Sequence, residues 1–189
     1  MIIVNTGNGK GKTTAALGQA LRAVGEGKRV LMIQFIKGPW KSGEDLFISK
    51  IKNQNAKIDE NGEYERFSLP DFEIIKTGKG FVGILGDSLP REEHEKAAED
   101  GLALAKKEVI SGNWDLIILD EINNAIRLKL LKLEDVMNFV EGFPKEKHLI
   151  LTGRDAPPEL IECADVVTEM REIKHVFTEG VKAKRGIEY

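Results

Sequence analysis

Cysteine is almost absent from this chain of 189 residues, in which Cys163 stands alone. One cysteine cannot close an internal disulfide, and no second cysteine is present to complete a cysteine-rich zinc site. The three histidines show no metal-ligand spacing either. These absences exclude a disulfide scaffold and favour the reducing cytoplasm as the compartment, with Cys163 as a buried core residue.

Long hydrophobic runs and an excess of basic charge are also missing. No apolar run approaches the roughly 20 residues that a membrane-spanning helix requires. Met1 leads into a short apolar run rather than into a charged leader. The formal net charge of −3 argues against a general attraction to nucleic acid or to anionic membranes. We therefore expect a soluble protein with no nucleic-acid partner and no membrane partner.

What the chain does contain is a regular alternation of short apolar runs with helix-like patterns. This alternation predicts an α/β fold of three layers, with a mostly parallel sheet covered by helices on both faces. The length suits a single domain over residues 1–189. The predicted strands are 2–5, 29–35, 72–76, 116–119, 148–151 and 165–169. The predicted helices are 13–24, 44–52, 90–111, 133–141 and 157–163, with Gly112 and Gly142 at two of their ends.

Residues 53–69 differ from the rest because they are polar, charged and poor in aliphatic side chains. We interpret this range as a surface insertion in the form of a hairpin, with a loop of no function as the alternative.

The most informative segment is T-G-N-G-K-G-K-T-T at residues 6–14, between the first predicted strand and the first predicted helix. Its glycines allow successive backbone N–H groups to point into one concavity, and the helix N-terminus and Lys12 add positive charge. This context is typical of a loop that binds a polyphosphate. Relative to the spacing G-x-x-x-x-G-K-[ST], Thr6 replaces the first glycine, which follows one residue later at Gly7.

A second motif, W-D-L-I-I-L-D-E at residues 114–121, is an aliphatic strand that ends in two carboxylates. In a parallel sheet Asp120 and Glu121 would lie at the same edge as the glycine-rich loop. With the hydroxyl of Thr13 they form an oxygen-rich set suited to Mg²⁺ beside phosphates. We predict Thr13, Glu121 and Asp120 as metal ligands, the alternative being that the two acids only cap the next helix.

These two motifs indicate a nucleotide with Mg²⁺ but leave the reaction open. Glu121 has the position of a residue that polarises water in an ATPase, and a kinase would use an acceptor hydroxyl instead. A nucleotide-binding module without turnover is a third reading.

Further segments narrow the choice among these functions. They are Q-F-I-K-G-P-W at 34–40, T-G at 77–78, G-F at 80–81, T-G-R at 152–154, A-D-V-V-T-E at 164–169, K-H-V-F at 174–177 and G-I-E-Y at 186–189. With the glycine-rich loop and L-D-E, this ordered set closely resembles the ATP:corrinoid adenosyltransferases of the cobalamin-salvage type, also called cob(I)alamin adenosyltransferases. The resemblance covers residues 3–189, and the family shares the departure at Thr6.

The resemblance implies a P-loop NTPase-like (RecA-like) fold and transfer of the 5′-deoxyadenosyl group of ATP to the Co(I) of a reduced corrinoid, with release of triphosphate. It implies Lys12, Lys10 and Glu121 as catalytic residues, with ATP lying reversed in the loop. It also implies a homodimer and an electron-donor protein such as a flavodoxin-like reductant. The predicted ATP-binding residues are Thr6, Gly7, Asn8, Gly9, Lys10, Gly11, Lys12, Thr13, Thr14 and Arg154.

Three aromatic residues in matching segments, Phe35, Trp40 and Phe81, are the predicted corrinoid-binding residues, because a corrin ring presents broad apolar faces. Phe35 is alternatively a strand core residue, and Trp40 an exposed loop anchor. The family carries Phe-x-Trp after Thr-Gly, whereas here Phe81 has no second aromatic after it. Either Val82 or Ile84 replaces that ring, or corrinoid activation differs.

Two polar residues and the N-terminus lead to further expectations. Arg154 holds a phosphate or pairs with an acid, and we interpret His175 as a packed residue rather than as a participant in the reaction. Many relatives carry an additional N-terminal segment that covers the corrinoid site, whereas this chain starts on its first strand. We hypothesise that residues 53–69 serve as the cover instead.

Overall fold

The computed structural model describes residues 1–38, 40–52, 57–58, 65–69, 71–84 and 86–187. The strands are β1 Ile2–Thr6, β2 Val30–Gln34, β3 Lys57–Ile58, β4 Glu65–Leu69, β5 Phe72–Lys76, β6 Leu116–Asp120, β7 His148–Thr152 and β8 Val166–Glu169. The α-helices are α1 Lys12–Gly25, α2 Gly43–Lys52, α3 Arg91–Ser111, α4 Ile122–Arg127, α5 Leu133–Glu141 and α6 Pro158–Cys163, and a 3₁₀ turn covers Val176–Glu179. Outside the described residues lie 53–56 and 59–64 of the predicted insertion, and Pro39 and residues 188–189 of the matching segments.

The described strands form one sheet in the order β3-β4-β5-β2-β6-β7-β1-β8. The six strands from β5 to β8 in this order are parallel. β4 is antiparallel to β5, and β3 is antiparallel to β4. The predicted α/β fold with a mostly parallel sheet is therefore confirmed, and all six predicted strands and five predicted helices occur with ends shifted by about one residue at most.

α4 was not predicted, and β3 and β4 were expected only as a hairpin without assigned strand bounds. β3 and β4 lie in the range 53–69, and they extend the parallel sheet at one edge through antiparallel pairing. The hairpin interpretation agrees with these described strands, whereas the assignment of the whole range as an insertion stays a prediction. α4 has only six residues and directly follows β6.

Both faces of the sheet are covered. On β2, Leu31 and Ile33 contribute to one apolar cluster and Val30 and Met32 to the other, as the alternation of side chains along a strand requires. The first cluster contains residues of α3, α4, α5 and α6. The second contains α1, whose buried apolar residues are small: Ala16, Ala20 and Ala23.

The parallel register determines where polar side chains can meet. The carboxyl ends of β1, β2, β6 and β7 bring Thr6, Gln34, Asp120 and Thr152 to one edge of the sheet, and all four are buried. Ligands of open α/β sheets bind outside this edge. Among the described helices, none combines the length and the apolar character that crossing a bilayer demands.

Candidate functional site

The glycine-rich loop joins β1 to α1 and packs against the chain that follows β8. The N–H of Gly9 donates to the carbonyl oxygen of Met170 at 2.7 Å. A Cβ on Gly9 would lie 2.8 Å from that same oxygen, so a side chain at this position has no space. The side-chain oxygen of Asn8 accepts a hydrogen bond from the N–H of Glu172 at 3.2 Å. The residues after β8 thus hold the loop in its curved form.

Lys12 turns its ammonium group back onto this loop. Its Nζ donates to the carbonyl oxygen of Gly9 at 2.7 Å, and the residue is only 8% exposed. Burial lowers the pKa of Lys12, and the carboxyl of Glu121 opposes this shift. A cation with little hydration is therefore placed inside the loop, where an anion would interact with it strongly.

Asp120 is fully buried at the end of β6 and accepts hydrogen bonds from three elements. Thr13 Oγ1 and Thr152 Oγ1 each donate to its Oδ1 at 2.8 Å. Gln34 Nε2 donates to its Oδ2 at 3.1 Å. Asp120 therefore fixes the direction of the Thr13 hydroxyl at the start of α1.

Glu121 follows with a φ of 65°, in the left-handed region, and its N–H donates to Thr152 Oγ1 at 2.9 Å. Burial and the neighbouring Asp120 raise the pKa of Glu121 to about 7, against the opposing effect of Lys12. Glu121 occupies the N-cap position of α4, but its side chain makes no capping hydrogen bond. The capping alternative from the sequence therefore does not account for its carboxyl group.

A cavity of about 400 Å³ lies over the loop. Its lining is Asn8, Gly9, Lys10, Gly11, Lys12, Thr13, Thr14, Glu121, Arg154, Glu172, His175 and Ala183. Most of the predicted ATP-binding residues are thus brought together at one surface. Thr6 and Asp120 lie behind that surface, and Thr6 Oγ1 accepts from the N–H of Ala156 at 3.0 Å. Gly7 packs against Met170.

Arg154 enters this cavity from the loop after β7. Its backbone N–H donates to Asn124 Oδ1 at 2.6 Å, while the neighbouring Asp155 pairs with Arg127 at 3.5 Å. Within the described part of the chain, no ion pair engages the guanidinium of Arg154. The positive charge is consequently available to an anion in the cavity.

Sequence reasoning missed several polar residues beside Asp120. Gln34 and Thr152 bond it directly, and the ion pair of Lys37 with Glu44 lies next to them, since Gln34 Nε2 is 3.4 Å from Glu44 Oε1. Burial opposes the charging of Lys37, but the carboxylates of Asp120 and Glu44 raise its pKa. One feature of the sequence could have identified Gln34 and Thr152: each is a polar residue at the end of a strand.

The predicted aromatic residues separate into two environments. Trp40 and Phe81 stack with ring centroids 5.8 Å apart at 28°, and they are 54% and 44% exposed. The Trp40 ring lies against the backbone of Gly38 and Gly80, where a Cβ would come within 2.8 Å of it. Phe35 is 1% exposed in the core, which is the alternative that the sequence left open, so its side chain offers no surface to a ligand here.

The two candidates for the missing second ring also differ. Ile84 is 59% exposed, whereas Val82 packs partly buried against the core. Ile84 is thus the side chain available beside Phe81.

A divalent cation has a suitable donor set at this edge. Among the described residues, no group of three or more His, Cys, Asp or Glu side chains is arranged to hold a metal ion. Mg²⁺ seldom uses such an all-protein cage, because it takes one or two carboxylates together with phosphates and water. The oxygens of Thr13 and Glu121 beside the phosphate loop fit that chemistry, with Asp120 already engaged by three donors.

The site has three features of the P-loop class of nucleotide-binding proteins. They are a glycine-rich loop that opens a helix, a lysine directed into that loop, and acidic residues at the end of β6. The chain belongs to the family described as ATP:corrinoid adenosyltransferase BtuR/CobO/CobP, which matches residues 1–189.

Three curated relatives are similar over the whole chain. The corrinoid adenosyltransferase of Escherichia coli (strain K12) is 37% identical over 189 residues, covering 100% of this chain and 85% of that protein. The corrinoid adenosyltransferase CobA of Salmonella typhimurium (strain LT2) is 35% identical, with 100% and 85% covered. The corrinoid adenosyltransferase of Pseudomonas aeruginosa (strain PAO1) is 33% identical, with 100% and 83% covered.

Proposed function

We propose that this protein transfers the 5′-deoxyadenosyl group of ATP to the Co(I) of a reduced corrinoid, cobalamin or a precursor, and releases triphosphate. The reaction belongs to the biosynthesis or salvage of adenosylcobalamin. The observation that carries the proposal is the family match across residues 1–189. The phosphate loop with its buried Lys12 supports it independently, because this chemistry needs a strong site for the leaving group.

The bond changes assign a clear task to the cavity. The cobalt electron pair of the corrinoid attacks C5′ of ATP, the C5′–O bond breaks, and its electron pair leaves with the triphosphate. Positioning of the two reactants and stabilisation of the leaving charge are therefore the main contributions of the protein. Lys12, Lys10 and the N–H groups of the loop perform the second task, with Arg154 as a further cation in the same cavity.

We propose Thr13 and Glu121 as the protein ligands of Mg²⁺, with Asp120 holding the Thr13 hydroxyl in position. When bound, Mg²⁺ supplies positive charge beside the triphosphate. Glu121 ionises readily on the approach of a cation, because its pKa of about 7 lies near neutral pH.

The stacked pair of Trp40 and Phe81 is the proposed corrinoid face, with Ile84 beside it. Both rings follow strands of the parallel sheet, β2 and β5, and hence lie at the same edge as the phosphate loop. Phe35 supports this face only indirectly, from the core.

Two further proposals rest on the resemblance. The protein forms a homodimer, and a flavodoxin-like protein provides the electron that converts Co(II) to Co(I) before the transfer. The cytoplasm as the compartment is a third proposal, which rests on the single Cys163.

Product analysis tests the proposed function. The protein is incubated anaerobically with MgATP and a chemically reduced corrinoid. The proposal predicts triphosphate and a light-sensitive corrinoid with a carbon–cobalt bond, in equal amounts. Glu121, with a pKa near neutrality, favours a water-activating ATPase as the second candidate, and ADP with phosphate would support that one. Unchanged ATP with tight binding would indicate a module without turnover.

A further inference from the structure

The chain that follows Phe81 and Val82 has little packing of its own. Around Gly83 and Gly86, a Cβ would meet no described atom within 4 Å, so this stretch lies open to solvent. Phe81, Ile84 and Leu89 are 44%, 59% and 39% exposed. Glycine-rich chain in open space has high conformational entropy, and specific bonds are needed to hold it in one arrangement.

Asp87 provides such bonds within the stretch. Its Oδ2 accepts from the N–H of Gly83 at 2.7 Å, and its Oδ1 accepts from the N–H of Leu89 at 3.1 Å. These hydrogen bonds lower the pKa of Asp87, so the group is an ionised carboxylate at neutral pH. The carboxylate of Asp87 therefore links the backbone at Gly83 to the backbone at Leu89.

His94 connects this turn to the body of the protein. It lies in the first turn of α3, is 3% exposed, and directs Nε2 to both oxygens of Asp87, at 3.2 and 3.1 Å. The side chain of Asp87 is itself only 8% exposed. A buried ring anchored in a 21-residue helix thus holds a carboxylate that in turn holds the exposed chain.

We propose that Asp87 and His94 are a positioning pair for the corrinoid face: they fix the chain that carries Phe81 and Ile84 and thereby set the affinity for the corrinoid, without contacting ATP. This inference rests on the proposed function of the Trp40–Phe81 face. Neither residue lines the cavity over the phosphate loop, so the two substrates should respond differently to their loss.

The matched variants are His94→Leu and His94→Gln. Leu fills the buried volume without a donor, whereas Gln retains an N–H donor for Asp87. We expect His94→Leu to lower kcat/KM for the corrinoid about tenfold, the scale of one lost hydrogen bond to a charged group. KM for ATP should stay within about twofold of the parent, and His94→Gln should recover most of the loss.

A second readout does not depend on corrinoid chemistry. Hydrogen exchange of the peptide that contains residues 80–89 should be faster in His94→Leu than in the parent or in His94→Gln, in the absence of substrates. Asp87→Asn should show the same faster exchange, and it serves as the test if His94→Leu does not fold. A parent without adenosyl transfer would defeat the proposed function, while the exchange result still tests the pair.

The inference is overturned if the Leu and Gln variants have equal kcat/KM for the corrinoid, or if KM for ATP rises as much as that for the corrinoid. Unchanged exchange of the 80–89 peptide in both His94→Leu and Asp87→Asn overturns it as well.

Discussion

Two side chains in the cavity carry charges that the protein interior disfavours. Lys12 has its pKa lowered by burial, and Glu121 has its pKa raised to about 7 by burial and by Asp120. Each residue partly offsets the pKa shift of the other, because their opposite charges attract. A triphosphate with Mg²⁺ would provide both groups with stronger partners, so the cavity is electrostatically prepared for that ligand.

The role of Lys12 gives the first prediction. Lys12→Ala removes the buried cation that bonds the loop and should lower turnover about 10²-fold or more, the scale seen when one donor to a developing charge is lost. Steady-state release of triphosphate measures the effect. Lys28→Ala, at an exposed position after α1, is the control and should keep parental turnover. A Lys12→Ala enzyme within twofold of the parent would remove Lys12 from the catalytic set.

Glu121 gives a prediction about pH and stability. Its pKa is higher in the folded state than the ordinary value of 4.5, so the folded protein binds this proton more tightly than the unfolded chain does. The free energy of unfolding should therefore fall as pH rises from about 4.5 to about 7, and the loss is complete above that range.

Glu121→Gln removes this titration. The free energy of unfolding of the variant, relative to that of the parent, should therefore increase by about 3 kcal/mol as the pH rises through that window. Denaturant unfolding of the protein, free of metal and nucleotide, at several pH values measures it. A difference between variant and parent that is constant from pH 5 to pH 8 would argue against the raised pKa.

At the scale of elements, predictions succeeded where burial dictates the pattern. β2 and β6 are buried at every position, so both appear in the sequence as continuous apolar runs. β4 lies beyond β5 and reads E-R-F-S-L, without such a run. The six residues of α4 are too few for a helical period to show. A polar composition in β4 and short length in β3 and α4 therefore explain why these elements were not among the predicted strands and helices.

The site likewise contains parts that the sequence predicted and parts that it did not. The glycine-rich loop and the acidic strand end are contiguous motifs, so the sequence displays them. The contacts of Asp120 with Gln34 and Thr152 depend on β6 lying between β2 and β7, and strand order cannot be read from residue types. The burial of Phe35 likewise depends on packing against α3, where a Cβ on Gly101 would lie 3.1 Å from its ring.

A buried ion pair joins two elements beneath the aromatic face. Lys76 at the end of β5 pairs with Asp45 of α2, and their side chains are 4% and 0% exposed. Lys76 Nζ also donates to the carbonyl oxygen of Trp40 at 3.0 Å, and the N–H and hydroxyl of Ser42 donate to Asp45 at 2.7 Å. The pair thus ties the chain around Trp40 to the sheet.

Lys76→Met should destabilise the protein by about 3–5 kcal/mol, because it leaves the carboxylate of Asp45 buried without its cation. The double variant Lys76→Met/Asp45→Asn should recover part of this loss, since no uncompensated charge then remains. Guanidinium unfolding provides both values. If Lys76→Met alone unfolds at the parental denaturant concentration, the pair does not stabilise this junction.

Considered as a whole, the molecule completes its cavity with residues distant in sequence. The chain after β8 bonds Asn8 and Gly9, and it contributes Glu172, His175 and Ala183 to the lining. The N-terminal loop and the C-terminal segment therefore line one cavity, and the sheet brings them together by placing β8 next to β1.

Deletion of residues 171–189 should raise KM for ATP about tenfold or more, because Asn8 loses its hydrogen bond from Glu172 and the cavity loses one wall, although Met170 and its bond with Gly9 remain. The sheet should remain folded by far-UV circular dichroism, since its strands end at Glu169. Deletion of residues 184–189 alone is the control and should leave KM for ATP near the parental value. Equal KM values for both deletions and the parent would show that the segment does not contribute.

In the proposed reaction the bond broken in ATP joins carbon to oxygen. ATP labelled with ¹⁸O in the oxygen between C5′ and the α-phosphorus tests this in a single anaerobic incubation with reduced corrinoid, followed by mass spectrometry of the products. Adenosyl transfer should place the label in the triphosphate, and the corrinoid should gain one adenosyl group for each triphosphate formed. Label found in ADP, with unlabelled phosphate beside it, would show that adenosyl transfer is not the reaction.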